Sequence, residues 1–214
     1  DSVQDVTLFA KYTLRADEMF LNRMIGGTFE GSNDPDFREK EVLYLINEKP
    51  KRLQTVVQSY SSKSYRYVRY IGPKDSHCNI AEAAFYTPND TASLKGKVIG
   101  TPGCFQKDGS HEYTNVFDGD VTTSFDYIES SGGWSGLDLG TPKQIGKIVY
   151  TPRNYDNYVC HGDDYELFYC SQDKWKSLGK QTSYADSLVY KNVPINVLLL
   201  LKNHDRGIQE RIFT

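Results

Sequence analysis

The sequence lacks the cysteine spacings that are typical of zinc and redox sites. Its four cysteines, Cys78, Cys104, Cys160 and Cys170, form no CxxC pair. Cys160 and Cys170 flank a predicted strand, so they should lie about 25–30 Å apart, whereas a disulfide needs a separation of roughly 7 Å or less. That disulfide is excluded if the strand forms. We expect four free thiols, and the other pairings stay open.

Runs of basic residues and long apolar runs are also absent. The chain has 25 basic and 28 acidic residues and a net charge of −3, so it lacks the phosphate-neutralising surface on which nucleic-acid binding depends. Its longest apolar run, Val197–Leu201, is far shorter than the roughly 20 residues that span a bilayer. We expect neither a nucleic acid nor a membrane as partner. No signal-peptide pattern opens the chain, which we interpret as a fragment of a longer protein or a mature form.

Sequence signatures of catalysis are missing as well. The four histidines show no HExxH spacing, and the chain contains no GxSxG, Walker or GxGxxG motif. Asp163, Asp164 and Glu166 mark the start of one predicted strand and are not set across a cleft as paired catalytic carboxylates are. We therefore predict that the protein is not an enzyme. A small hydrolase built on Asp163, Asp164 and His161 is the weakest alternative.

Short strand-like segments fill the sequence instead. Tyrosine (16) and phenylalanine (10) far outnumber methionine (2), which favours strands over helices. About a dozen such segments follow one another between Gly, Pro, Asn and Asp turns, a spacing that indicates an all-β sandwich. Only 15–24 has helical propensity, and we predict a long loop with about one turn there.

An internal repeat organises these strands. GGTFEGSNDPDF (Gly26–Phe37) parallels DYELFYCSQDKW (Asp164–Trp175), and each is an alternating strand followed by a turn and an aromatic residue. Residues 1–87 match the second half of a unit whose full form is 97–214. The linker-like TPNDTASLKG places the boundary near Ser93, which gives a partial unit at 1–93 and a complete unit at 94–214. A half-sandwich leaves strand edges unpaired, so we expect residues 1–87 to pack on the second unit or to be completed by the parent chain.

A loop rich in oxygen donors follows the linker. Asp118 and Asp120 flank Gly119, and Thr122 and Thr123 add hydroxyl groups. A short loop of hard oxygen donors is what Ca²⁺ selects. The alternative is a turn capped by its own aspartates, with no ion.

The loop that follows KIVYTP is the richest candidate for recognition. It contains Arg153, Asn154, Tyr155, Asn157 and Tyr158. Tyrosine rings can stack on the apolar face of a sugar, while arginine and asparagine can hydrogen-bond to its vicinal hydroxyl groups. Three residues from neighbouring loops can complete such a site, namely Asp126, Tyr127 and His161. The alternative is that Arg153 forms a surface ion pair with Asp156 or Asp164 and the tyrosines only cover the end of the sandwich.

Five motifs in one order carry a resemblance to a known family. They are FDGDVTTSF, GWSGLDLG, KIVYTPRN, DYELFYCSQDKW and a closing strand pair with Glu210. Residues 97–214, and 1–87 in truncated form, resemble the discoidin domain, also called the coagulation factor 5/8 type C domain or family 32 carbohydrate-binding module. Phe125 departs from the usual tryptophan of this pattern, and the Ala-Glu pair of the closing strand survives as Ala81-Glu82 but becomes Gln209-Glu210.

The resemblance implies a galactose-binding-like β-jelly roll in tandem, a structural Ca²⁺ and a ligand site in loops at one end. On the matching positions, Arg153 and Asn157 would hold the sugar. Asp118, Asp120, Thr123 and Glu210 would bind the Ca²⁺, with backbone carbonyls supplying the remaining ligands.

Similar tandem units look like those appended to secreted or surface enzymes of polysaccharide-degrading gut bacteria. We therefore expect an extracellular, periplasmic or cell-surface module that binds a glycan or glycoprotein beside flanking domains of a larger chain. The alternative is a structural or protein-interaction spacer that binds no sugar.

Overall fold

A computed structural model describes residues 2–8, 15–50, 54–154, 159–185, 187–205, 207 and 209–213. The protein is all-β, with several antiparallel sheets that are consistent with a β-sandwich, as the strand pattern predicted. The chain divides into two compact units. The continuous unit comprises Leu14–Asp156, and the two-segment unit comprises Asp1–Thr13 together with Asn157–Thr214.

In its described residues, the continuous unit contains helix α1, a short 3-10 helix and eight strands. Their bounds are α1 Arg15–Asn22, β2 Thr28–Ser32, β3 Lys40–Leu45, β4 Thr55–Gln58, β5 Ser64–Ile71, β6 Ile80–Tyr86, β7 Lys97–Gly100, the 3-10 helix Tyr113–Phe117, β8 Trp134–Gln144 and β9 Lys147–Pro152. One sheet has the order β3-β2-β5-β8-β7 and the other β4-β9-β6. The Phe29 ring of the first sheet lies 6.0 Å from Phe85 and 5.3 Å from Tyr150 of the second. The two sheets therefore share one buried aromatic core.

The two-segment unit is built from both ends of the sequence. Its strands are β1 Val3–Leu8, β10 Asp164–Ser171, β11 Lys174–Thr182, β12 Leu188–Pro194, β13 Leu198–Asn203 and β14 Gln209–Phe213. β1 pairs with β12, and a four-stranded sheet has the order β11-β10-β13-β14. Alternate residues of these strands, such as Leu167, Leu199 and Leu201, face a second buried core.

The division of the chain differs from the predicted boundary near Ser93. β5 pairs with β8, and β9 lies between β4 and β6. Strands on both sides of that boundary therefore share sheets within the continuous unit. Three strands before the boundary, β4, β5 and β6, gain partners from 97–152, because pairing across the linker satisfies edges that either segment alone would leave open.

Residues 15–24 also differ from the loop that we predicted. The segment forms a helix of eight residues, α1. Phe20 and Met24 are buried and Met19 is 41% exposed. Two of these three apolar side chains therefore pack into the unit, and the third lies at its surface. Among the described residues, no helix is long and apolar enough to cross a membrane.

All four cysteines are free thiols, as predicted. Cys78, Cys104 and Cys160 are buried and Cys170 is half-buried. Burial raises the pKa of Cys78 to about 12, and the thiolate is the reactive form. Maleimide labelling of the native protein should therefore modify Cys170 first and Cys78 at least tenfold more slowly, as measured by peptide mass mapping. Rapid labelling of Cys78 would contradict this burial, and the guanidinium-unfolded protein, in which all four should react alike, is the control.

Candidate functional site

The predicted oxygen-rich loop follows the 3-10 helix of the continuous unit. Gly119 has a φ of +84°, a conformation that glycine adopts without strain, so the chain can turn sharply between the two aspartates. The Asp120 N–H donates to Asp118 Oδ1 at 2.7 Å, and the Thr123 hydroxyl donates to Asp118 Oδ2 at 2.8 Å. Asp118, Asp120 and Thr123 therefore come together, as predicted, and they are tied to one another as a capped turn.

The glutamate at this loop is Glu82 of β6. Its Oε1 accepts a hydrogen bond from the Gly119 N–H at 2.9 Å. Burial, followed by a hydrogen bond with Asp118, raises the pKa of Glu82 to about 8. The predicted ligand Glu210 lies on β14 of the two-segment unit, opposite Leu201. The Ala81-Glu82 pair is the sequence signal for this position, although the half-unit 1–87 contains no such loop of its own.

The chemistry of this donor set suits a small hard cation. Glu82 and Asp118 are acidic groups in contact, and carboxylate and hydroxyl oxygens are the ligands that Ca²⁺ prefers. Within the described ranges, no cluster of three or more His, Cys, Asp or Glu side chains is placed to hold a metal. A cation at this loop would therefore depend on main-chain carbonyls for part of its coordination.

A second group of polar side chains gathers where three segments meet at the start of β6. Ile80 forms an isolated bridge with Phe125 and pairs with Pro152, the last residue of β9. The neighbouring residues in each segment are Asn79, Asp126 and Arg153, so backbone pairing alone brings these three side chains together. Asp126 and Arg153 were both predicted site residues, and the structure places them in contact.

These side chains form a continuous polar network with Arg23, which follows α1. Arg153 Nη1 lies 2.5 Å from Asp126 Oδ2, and the Asn79 amide donates to Asp126 Oδ1 at 2.7 Å. Arg23 Nη1 donates to Asn79 Oδ1 at 2.6 Å. The Arg153 and Asp126 side chains are only 16% and 10% exposed. The alternative to sugar binding gave Arg153 a surface partner, either Asp156 or Asp164, and its described partner is instead the buried Asp126.

Helix α1 covers this network with Phe20. The Phe20 ring lies 4.7 Å from the guanidinium carbon of Arg153 and 5.9 Å from that of Arg23. Phe20 is 2% exposed, so the buried ring packs near both guanidinium groups, within the range of a cation–π contact. Arg23 gave no sequence signal because its role depends on the unpredicted helix.

The remaining predicted recognition residues are placed differently. The Asn154 amide donates to the carbonyls of Val121 and Pro152 at 3.0 and 3.1 Å. Tyr127 is half-buried, and its backbone carbonyl oxygen lies 2.9 Å from Nδ1 of His77. His161 belongs to the two-segment unit. Tyr155, Asn157 and Tyr158 lie outside the described residues, as does Asp156.

A pocket of about 560 Å³ opens beside this network, between α1 and the 73–76 turn. Its lining is Met19, Asn22, Arg23, Ile25, Pro73, Lys74, Asp75 and Ser76. The volume falls in the range of ligand-sized pockets, roughly 300–1,000 Å³. Arg23 contributes to both the pocket and the buried network, so the two form one polar end of the continuous unit.

The chain matches none of the known proteins with which it was compared. No family model, curated protein or solved structure corresponds to it. We therefore infer the function from the geometry of this end of the continuous unit.

Proposed function

We propose that the chain is a non-catalytic carbohydrate-binding module of a larger secreted or surface protein. The proposal includes a discoidin-like β-jelly roll for the continuous unit and a partial counterpart in the two-segment unit. The observation that carries it is the ligand-sized pocket lined by Arg23, which the Asn79–Asp126–Arg153 network holds in place. The pocket combines hydrogen-bonding groups with the apolar side chains of Met19 and Ile25, as the two faces of a sugar ring require.

Arg153 has a positioning role in this proposal. It forms an ion pair with Asp126, and Asp126 accepts a hydrogen bond from the Asn79 amide. Asn79 in turn accepts a hydrogen bond from Arg23 and so orients Arg23 at the pocket. The sugar contacts then come from side chains that line the pocket, with Asn22 and Lys74 the most exposed donors. The tyrosine-rich segment 155–158 stays a predicted second source of contacts.

The test is retention on immobilised glycans. We expect the intact chain to bind a subset of a glycan array, with weak affinity because the pocket is open and its contacts are few. Asn22→Ala should reduce retention about fivefold, since one hydrogen bond to a neutral hydroxyl contributes on the order of 1 kcal/mol. Gln144→Ala removes an exposed amide at the end of β8 in the same unit and should leave retention unchanged. If the intact chain binds no glycan on the array, the proposal is wrong.

A structural Ca²⁺ is part of the proposed module. Asp118, Asp120, Thr123 and Glu82 are its proposed side-chain ligands, with Glu82 in the position that we first gave to Glu210. The contact between the Glu82 and Asp118 carboxyl groups supports this assignment, because a cation would relieve their repulsion. The ion would hold the Asp118–Thr123 loop and have no part in any reaction.

The second candidate function is a spacer or protein-docking module that binds no sugar. Four exposed apolar side chains on or beside the edge strands β3 and β4 favour it, namely Val42, Leu45, Val56 and Tyr60. If this function is correct, no glycan should bind, and Val56→Lys should disrupt association with a flanking domain. A glycan that binds the Val56→Lys variant normally would favour the first candidate.

A further inference from the structure

We propose that the pocket between α1 and the 73–76 turn selects an acidic saccharide, one that carries a carboxylate or sulfate group. This inference rests on the proposed carbohydrate-binding function and deepens it. The pocket residues that matter are Asn22, Arg23, Lys74, Asp75 and Ser76.

Hydrogen-bond donors exceed available acceptors in this pocket. The Ser76 hydroxyl donates to the Pro73 carbonyl at 2.7 Å and accepts from the Cys78 N–H at 3.1 Å. The Asp75 carboxylate accepts from the Ser130 hydroxyl at 3.2 Å. The Ser76 hydroxyl is thus already engaged, and the acceptors left for a sugar hydroxyl among the described lining side chains are the remaining lone pairs of Asp75 and the Asn22 amide oxygen.

The donors that remain are cationic or neutral. Within the described part of the chain, the side chains of Asn22 and Lys74 make no hydrogen bond or ion pair, and Lys74 is exposed. Arg23 uses Nη1 on Asn79, and a guanidinium carries five N–H donors. A ligand that complements this pocket therefore supplies acceptors, and a planar carboxylate or a sulfate supplies them with negative charge.

The charge balance of the buried network points the same way. Arg23 and Arg153 flank a single carboxylate, Asp126, and Asn79, which links Arg23 to Asp126, is neutral. One guanidinium charge is therefore uncompensated within the network, and it belongs to the arginine that lines the pocket. Among the described lining residues, the two cations Arg23 and Lys74 outnumber the one carboxylate, Asp75, so the pocket keeps an excess of positive charge that attracts an anion even in a chain whose net charge is −3.

Apolar side chains in the pocket favour a saccharide over a bare anion. Met19 and Ile25 are each 41% exposed and line the same pocket, with Pro73. They offer a surface for the C–H face of a pyranose ring while the cations bind its acidic substituent.

Isothermal titration calorimetry of the intact chain with three probes tests this inference. The probes are trigalacturonic acid, a chondroitin 4-sulfate tetrasaccharide and neutral galactotriose. We expect at least one acidic probe to bind about tenfold or more tightly than galactotriose and to weaken as salt rises from 0.05 to about 0.5 M. Chondroitin 4-sulfate carries carboxylate as well as sulfate groups, so tighter binding of trigalacturonic acid shows that carboxylate suffices, tighter binding of the chondroitin probe shows that sulfate adds affinity, and equal binding supports their shared anionic chemistry.

Lys74→Gln is the matched variant and Lys95→Gln its control, because both remove one exposed lysine charge from the same unit. Lys74→Gln should lower the affinity for the acidic probe about threefold to tenfold without changing the thermal midpoint, and Lys95→Gln should not lower it. Equal losses in both variants would mean non-specific attraction and would overturn the inference. If only galactotriose binds, or if it binds as tightly as the acidic probes, the acidic preference is wrong. Carbohydrate binding itself would still be supported. If no probe binds in calorimetry and no glycan binds on the array, both the carbohydrate-binding function and the acidic preference are wrong.

Discussion

Arg153→Ala should lower the free energy of unfolding of the continuous unit by about 3–5 kcal/mol, the usual cost of removing one partner from a buried ion pair. The loss arises because the Asp126 carboxylate, 10% exposed, would keep only the Asn79 amide as a described side-chain donor. Denaturant unfolding in a Trp175→Phe background measures it, since Trp134 then reports on this unit alone.

Arg66→Ala is the control for this prediction. Arg66 makes a bidentate ion pair with Asp138 at 2.8 and 2.9 Å, but its side chain is 43% exposed. Its removal should cost much less stability than the removal of Arg153, because solvent screens an exposed ion pair. A second variant, Arg153→Ala with Asp126→Asn, should recover part of the stability because no buried charge is left unpaired. If Arg153→Ala costs no more than Arg66→Ala, the network is not buried in solution.

This result also affects how glycan-binding assays are interpreted. Arg153 is the residue that the sequence alone would select for mutation, yet its loss would disturb the fold of the site. Reduced retention of Arg153→Ala therefore does not show a direct sugar contact. Asn22 and Lys74 are exposed, so their variants separate binding from stability.

Calcium should raise the thermal midpoint of the continuous unit. At a free concentration one hundred times the dissociation constant, binding to the native state alone adds about 2.7 kcal/mol, which corresponds to roughly 5–10 °C for a unit of this size. Excess chelator should reverse the shift. Differential scanning calorimetry with Ca²⁺, with Mg²⁺ and with chelator measures it, and identical midpoints in Ca²⁺ and chelator would exclude the ion.

Glu82→Gln distinguishes the proposed site from a distant one. The amide keeps an oxygen for the Gly119 N–H but removes one of the two neighbouring carboxylates. We expect the variant to be more stable than the native chain in chelator and to lose the calcium shift. Glu210→Gln tests the original assignment. A calcium shift lost in Glu210→Gln and kept in Glu82→Gln would restore it.

The sequence predicted the features that depend on neighbouring residues. The all-β class followed from strand and turn spacing, and the contacts among Asp118, Asp120 and Thr123 are local turn chemistry. Arg153 and Asp126 were each identified as site residues from loop composition. Their direct contact was not predicted, because it depends on both Phe125 and Pro152 pairing with Ile80.

The division of the chain could not be predicted in the same way. An internal repeat shows which segments are alike but not which of them close into one unit. In the predicted repeat, the order of half-units would be the same whether a unit begins at Lys97 or at Leu14. That ambiguity also accounts for the proposed exchange of Glu210 for Glu82, since the predicted repeat contains both and strand pairing places Glu82 beside the Asp118 loop. Helix α1 is two turns long, too short for its sequence period to identify it.

The pairing of β1 with β12 affects the order in which the chain can fold. Leu8 pairs with Leu188, so the two-segment unit cannot close until the chain has been synthesised through β12. The continuous unit has all its strands by Pro152 and can form first on the nascent chain. Loop-closure entropy grows slowly, by about 0.6 kcal/mol per doubling of length, so the delay affects the rate more than the final stability. Until then β1 lacks its partner strand and has an open hydrogen-bonding edge, and the newly synthesised protein is most prone to aggregate during that interval.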